Sequence, residues 1–254
     1  MLPYDERGIG EAVLLLHAGV ADRSMWHEHL SWLAGAGYRA IAVDLPGYGE
    51  ATISDGVRAP WEDVLQTLKE LKVRRAALVG NSFGAAVALR VAAVAPAVAS
   101  CMFLISPPPL DAEPSPDLAA AWDEEYAALE KGDIDGAVAA VLDAWVQPDA
   151  PAELRERVAD MQRRAFELQI AASDVEEAPD PLEQRPAALK RLKVPVLAAA
   201  GEHDKPDFKT GAKEIAELVP DGRLAVIPEA GHLAPLETPD TFKGLLLGLL
   251  QDAM

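Results

Sequence analysis

Three residues with the side chains of a hydrolytic catalyst stand far apart in this chain, each in a setting that suits it. Ser82 lies inside Gly80-Asn81-Ser82-Phe83-Gly84, between the apolar run Ala76 to Val79 and an Ala-, Leu- and Val-rich stretch that continues to Ala92. A strand that becomes a helix within two or three residues bends sharply, and the residue at the bend takes strained backbone angles. Its neighbours two positions away must lack bulk, as Gly80 and Gly84 do. The serine is thereby lifted to a helix N-terminus, where free N–H groups and the helix dipole favour developing negative charge. The pentapeptide alone is a weak signal, because a chance loop of Gly and Ser reads the same.

A serine hydroxyl is a poor nucleophile at neutral pH and needs a base, usually His, oriented by a buried carboxylate. Asp204 follows the strand-like run Val194 to Ala200, and His232 follows Arg223 to Ile227. In a parallel sheet these loops and the one carrying Ser82 emerge at one edge, where open α/β sheets bind ligands. Three such residue types in the order Ser, Asp, His, each past a strand's carboxyl end, are far harder to reach by chance than the pentapeptide. Asp207 shares the loop and rivals Asp204 as the acid, with Asp204 preferred. A tetrahedral intermediate also needs two N–H donors for its oxyanion. Phe83, after the serine, supplies one by geometry. Val20, in His17-Ala18-Gly19-Val20 after the first strong strand, is the choice for the second. His17 is read as shaping that loop rather than as the base. His203 with Asp204 and Asp207 fits no strong metal-ligand spacing and reads as a solvated turn. Asp44-Leu45-Pro46-Gly47 reads as a strand-end turn.

The elements that must position these groups follow from the hydrophobic pattern. Glu11 to Leu16, Tyr38 to Val43, Ala76 to Val79, Cys101 to Ile105, Val194 to Ala200 and Arg223 to Ile227 read as strands. Helical spacing separates them, as at Trp61 to Leu71 and after Ser82. Nearly continuous Val, Leu, Ile and Ala in strands that alternate with helices predicts a mostly parallel sheet covered on both faces. After Ser106 a proline cluster marks a boundary, and Leu118 to about Ala172 is helical in pattern. The predicted division is a core of residues 1–106 and 186–254 and an all-helical insertion, a cap, of 107–185. Trp26, Trp122, Trp145 and Leu233 are candidates to line an acyl pocket, although for each tryptophan taken singly packing is the preferred reading. His27 and His29, two apart on a helix, are expected at the surface, and Asp123-Glu124-Glu125 on a solvated helix face.

Composition bounds the function. Acidic residues outnumber basic ones 41 to 23, and a net charge of −18 argues against nucleic-acid or anionic-membrane partners. No basic segment followed by an apolar one opens the chain, and no run of about twenty apolar residues crosses a membrane. The single cysteine, Cys101, cannot form an internal disulfide and sits in an apolar run as a buried thiol, which suits the cytoplasm. A small-molecule substrate is expected, and the choice between monomer and homodimer stays open.

With HAGV, DLPGYG, GNSFG, GEHD and GH in this order, the chain resembles the α/β-hydrolase superfamily over nearly its whole length. The resemblance implies that fold, an inserted cap, and nucleophile, acid and base at Ser82, Asp204 and His232. No cofactor is implied. Only about ten residues precede the first strong strand, so the first strand of the family's usual N-terminal hairpin is expected to be reduced or missing, with Leu2 to Arg7 a remnant of the second. Relatives that open haloalkanes or epoxides use Asp as the nucleophile; Ser82 there implies acyl chemistry. An esterase-type serine hydrolase is the leading expectation. Alternatives are a lactonase or carbon–carbon bond hydrolase, for which Arg155, Arg157, Arg163 and Arg164 of the cap are available, or a ligand-binding member without turnover.

Overall fold

The computed structural model describes residues 1–53, 56–172 and 175–253. Strands β1 (Tyr4–Arg7), β2 (Ala12–Leu16), β3 (Arg39–Val43), β5 (Ala76–Asn81), β6 (Ala99–Ile105), β8 (Val196–Gly201) and β9 (Gly222–Ile227) form one sheet in the order β1-β3-β2-β5-β6-β8-β9. All neighbours pair parallel except β1, which runs antiparallel on β3 with Tyr4 opposite Val43 and Arg7 opposite Ala40. The segment read as the remnant of an N-terminal hairpin is this edge strand. Strand β5 extends two residues past the predicted end at Val79, because Gly80 and Asn81 still pair with Leu104 and Ile105.

Alternation along the strands splits the core into two layers. Leu14, Leu16, Ile41, Leu78 and Leu104 face one layer, covered by α2 (Pro60–Glu70), α3 (Phe83–Val94) and α8 (Pro206–Leu218). Val13, Leu15, Val79, Cys101 and Phe103 face the other, covered by α1 (His27–Gly35) and α10 (Pro239–Ala253). Both faces are buried, which is why these strands read as continuous apolar runs. The Cys101 thiol is fully buried, and burial pushes its pKa up to about 11, so it is an inert packing group.

Between β6 and β8 lie α4 (Pro116–Glu130), α5 (Ile134–Trp145) and α6 (Ala152–Ala171), then β7 (Glu176–Glu177) and the single turn α7 (Pro181–Gln184). The expectation of an all-helical segment is corrected by β7, which pairs parallel with β4 (Val57–Arg58) outside the main sheet. Ser115 starts α4 with its hydroxyl accepting from Leu118 N–H at 3.2 Å, and Asp133 starts α5 by accepting from Gly136 N–H at 2.9 Å. The three helices share a small apolar cluster of Leu118, Val138, Val141, Trp145 and Phe166 with Phe208 of α8.

Candidate active site

Strand order decides where the loops meet. The chain runs from β2 outward to β3, then crosses back to β5 on the other side of β2, so the loops after β2 and β5 diverge at the switch in winding. Leu16 is opposite Gly80, which sets residues 17–20 beside the bend at 81–84.

Ser82 occupies that bend with φ 52° and ψ −113°, a left-handed conformation that costs a non-glycine residue about 1–3 kcal/mol. The surroundings over-determine it. A Cβ on Gly84 would come within 2.2 Å of the Leu16 carbonyl oxygen, and one on Gly80 within 2.4 Å of the Gly84 oxygen. The missing side chain at Gly84 therefore lets the start of α3 lie directly against the backbone at the end of β2. The Ser82 N–H donates to Ile105 O at 2.8 Å, so the hydroxyl is held at the helix start by a neighbouring strand.

In the loop after β2, Ala21 N–H closes a turn on Ala18 O at 3.1 Å, a bond that uses neither the Gly19 nor the Val20 N–H. A Cβ at Gly19 would stand 3.5 Å from Phe83 Cβ and 3.4 Å from the Tyr48 hydroxyl, so this turn lies against the residue after the serine. His17 staples the turn from beneath. Its Nε2 accepts from Leu45 N–H at 2.9 Å, which leaves the proton on Nδ1 to donate to Ala18 O at 2.8 Å. Burial holds its pKa down despite the Ala18 carbonyl, so the ring is neutral and shapes the loop. Asp44, fully buried, accepts from the N–H groups of Arg23 and Glu50, each at 2.8 Å, and from the Arg23 guanidinium; it fixes the strand-end turn.

Asp204 and His232 meet through the adjacent ends of β8 and β9, where Gly201 is opposite Ile227. His232 Nδ1 donates to Asp204 Oδ1 at 3.0 Å, and the Lys205 N–H donates to the same oxygen at 2.8 Å. Both residues are 5% exposed. This bond fixes the tautomer and leaves Nε2 as the acceptor. The imidazole is flanked by Phe208, ring centroids 4.3 Å apart, and by Trp145 at the end of α5, 4.7 Å apart. Asn81 Nδ2 donates to the His232 main-chain oxygen at 3.1 Å, tying the residue before Ser82 to the loop that carries the imidazole. The Gly231 N–H donates to Glu237 Oε2 at 2.7 Å. Burial raises the Glu237 pKa against the pull of that donor. Among the described residues no hydrogen bond joins the Ser82 hydroxyl to the imidazole; such contacts often tighten only with substrate bound.

Asp207, the rival acid, is engaged elsewhere. It accepts from Ser115 N–H at 2.8 Å and Oγ at 2.7 Å, and these donors overcome burial to hold its carboxyl below the usual range. It ties the start of α4 to the core. Of the four pocket candidates, Trp145 packs on the ring of His232, and its ring centre lies 5.4 Å from the Lys205 ammonium. Trp26 is fully buried between His29 and Phe242, and Leu233 is buried in the same cluster, so both are core residues rather than pocket lining. Trp122 stands 38% exposed on α4. His29 corrects the surface expectation. It is 2% exposed, with Nε2 donating to Pro235 O at 3.0 Å and Nδ1 accepting from Trp32 Nε1 at 2.9 Å. Glu125 is half-buried, not solvated, and burial raises its pKa. Phe208 and Glu237 had no signal in the spacing; Asn81 and Tyr48 lay within the GNSFG and DLPGYG motifs, where the spacing assigned neither a role of its own. Among the described residues no cluster of three His, Cys, Asp or Glu is arranged to hold a metal ion, and no helix is long and apolar enough to cross a membrane.

A wound, mostly parallel sheet with a serine elbow and a carboxylate–imidazole pair at one edge defines an α/β-hydrolase architecture. The sequence pattern of the alpha/beta hydrolase family matches residues 13–244, and the chain belongs to that family. It is 38% identical over 113 residues to an epoxide hydrolase of Caballeronia sordidicola, a stretch covering 42% of this chain and 34% of that protein. The chain thus matches only about a third of that relative's length. Over 257 residues it is 27% identical to a 2-hydroxy-6-oxo-6-phenylhexa-2,4-dienoate hydrolase of Burkholderia cepacia, covering 97% of this chain and 90% of that one. A thermophilic esterase from Thermogutta terrifontis superposes with a TM-score of 0.82 at 24% identity over 99% of this chain and 93% of its own, a likeness of fold.

Proposed function

We propose that the protein is a cofactor-independent serine hydrolase that cleaves an ester-type acyl bond of a small molecule through an acyl-enzyme. The observation that carries the reading is the buried 3.0 Å bond from His232 Nδ1 to Asp204, which leaves Nε2 as the only basic position of a ring at the sheet edge that also carries Ser82. Ser82 Oγ attacks the carbonyl carbon while His232 Nε2 takes its proton. The Asp204 carboxylate holds the tautomer and stabilises the imidazolium. The Val20 and Phe83 N–H groups receive the oxyanion; loss of one such donor costs about 10²–10³ in turnover. The leaving alkoxide takes the proton from His232, and water repeats the two steps on the acyl-enzyme.

Epoxide opening, named in one relative, is disfavoured because the nucleophile position holds Ser82 rather than a carboxylate. Carbon–carbon bond hydrolysis is the second reading, favoured by the name of the relative matched over nearly the whole chain. The buried, high-pKa thiol of Cys101 fits a reducing compartment, and we read the protein as cytoplasmic. The test is labelling with a fluorophosphonate probe, then a p-nitrophenyl ester chain-length series, on wild type and Ser82→Ala. Labelling and turnover should both vanish in the variant; labelling that survives loss of the hydroxyl defeats the assignment.

A further inference from the structure

A second polar group on the substrate would need a partner near the elbow, and the cap arginines are committed elsewhere. Arg155 reaches Gln147 O and Asp143, Arg157 the Ser24 carbonyl, Arg163 Asp135, and Arg164 Gly49 O. The cation that stands at the elbow comes from the core. Arg58 of β4 carries its guanidinium carbon 5.9 Å from the centre of the Phe83 ring, and Phe83 follows Ser82 directly. The Arg58 side chain is only 22% exposed. Its Nε is buried without a partner among the described residues, and Nη1 has Glu177 at 3.4 Å, a carboxylate that is itself 64% exposed.

The surroundings make this a recess rather than a stray surface charge. Tyr48 packs 5.9 Å from the Phe83 ring with its hydroxyl against the Gly19 turn. Burial raises its pKa and the Arg58 charge opposes that rise. A cavity of about 370 Å³ opens along Arg58, Trp61, Phe83 and Arg90, with Glu177 and Asp180 also on its wall; Glu177 is paired with Arg58 and Asp180 with Arg90. A buried guanidinium N–H left unpaired is costly, and the planar fork matches a carboxylate with two parallel bonds. On a chain of net charge −18, a guanidinium at this point gives an anionic substrate a local attraction.

We propose that Arg58 is a specificity residue that binds a carboxylate on the acyl part of the substrate, so that the preferred esters are half-esters of short dicarboxylic acids. The proposal rests on Ser82 being the nucleophile. Its test compares p-nitrophenyl hydrogen glutarate with the same ester capped as its methyl ester. Wild type should favour the free carboxylate at least tenfold in kcat/KM. Arg58→Gln should bring that ratio near one, and Arg58→Lys should restore part of it. If Arg58 only straps β4 to β7, Glu177→Gln would act like Arg58→Gln and the ratio would not move in either; that result overturns the proposal, as does a wild type indifferent to the carboxylate. A measurement without turnover separates the two readings. Glutarate should bind Ser82→Ala at least tenfold more tightly than the Ser82→Ala, Arg58→Gln double variant by calorimetry. Arg58-dependent binding with no fluorophosphonate labelling would sink the nucleophile assignment alone. Labelling with glutarate binding equal in both variants would sink the Arg58 assignment alone.

Discussion

The side-chain amide of Asn81 donates to the main-chain oxygen of His232 at 3.1 Å and faces Ile105 O at 3.3 Å. The residue before Ser82 therefore holds the backbone of His232, across 151 positions of sequence. Asn81→Leu keeps the approximate volume and removes both donations. The two buried carbonyls would lose a partner, at about 1–3 kcal/mol of stability. Turnover should fall by about tenfold or more with KM little changed, because the imidazole's position is what the bond fixes. Steady-state kinetics beside a denaturant melt check this; unchanged turnover in a destabilised protein would reduce Asn81 to a packing role.

Gly84→Ala places a methyl group within 2.2 Å of the Leu16 carbonyl oxygen, and that atom is backbone at the end of a central strand. Helix α3 must then retreat from β2. The expected cost is about 3 kcal/mol or more, read as a lowered denaturation midpoint. Fluorophosphonate labelling should slow even where the fold survives, since the Ser82 bend and the Gly19 turn separate together.

Trp145 brings an inserted helix onto the imidazole at 4.7 Å and packs edge-on against Phe208, 5.7 Å away. It is 7% exposed. Trp145→Ala should cost about 3–5 kcal/mol by cavity formation. Trp145→Phe retains a ring there and should keep most of the stability, while altering acyl-chain preference in the p-nitrophenyl series. Identical chain-length profiles in wild type and Trp145→Phe would remove Trp145 from the pocket.

His29 makes stability fall toward acid pH. Burial drives its pKa from 6.5 down to about 4, outweighing the Pro235 carbonyl that favours the charged form. The unfolded chain takes up the proton near pH 6.5 and the folded chain only near 4, so the unfolded state binds more protons between these values. Stability is therefore intact above about pH 6.5 and lost progressively down to about 4, by roughly 3 kcal/mol from this group at 1.36 kcal/mol per unit. Urea melts of wild type and His29→Gln at pH 7 and pH 4.5 isolate the contribution. The difference between the two proteins should shrink or reverse at the lower pH; parallel losses in both would show that His29 is not the acid-sensitive group.

Much of this was legible in the order of residues. Strands buried on both faces leave a period-free apolar signature, and glycine at positions 80 and 84 signals a bend that no side chain would permit. The type and order of Ser82, Asp204 and His232 follow from chemistry that few other residues can perform. Which of Asp204 and Asp207 meets the His232 ring is visible only in three dimensions. Both follow the same strand, but His232 donates to one while Ser115, 92 positions before the other, donates to the second. The burial of Trp26 and His29 likewise depends on α10 arriving over α1, a contact between elements some 200 residues apart that no local pattern encodes. The sequence thus determined which groups and which layers exist, because those are properties of residue type and short-range period. Which carboxylate orients the imidazole, which aromatic ring lies on it and which arginine stands by the elbow were decided by tertiary packing, because hydrogen bonds and burial depend on distances that linear spacing does not contain.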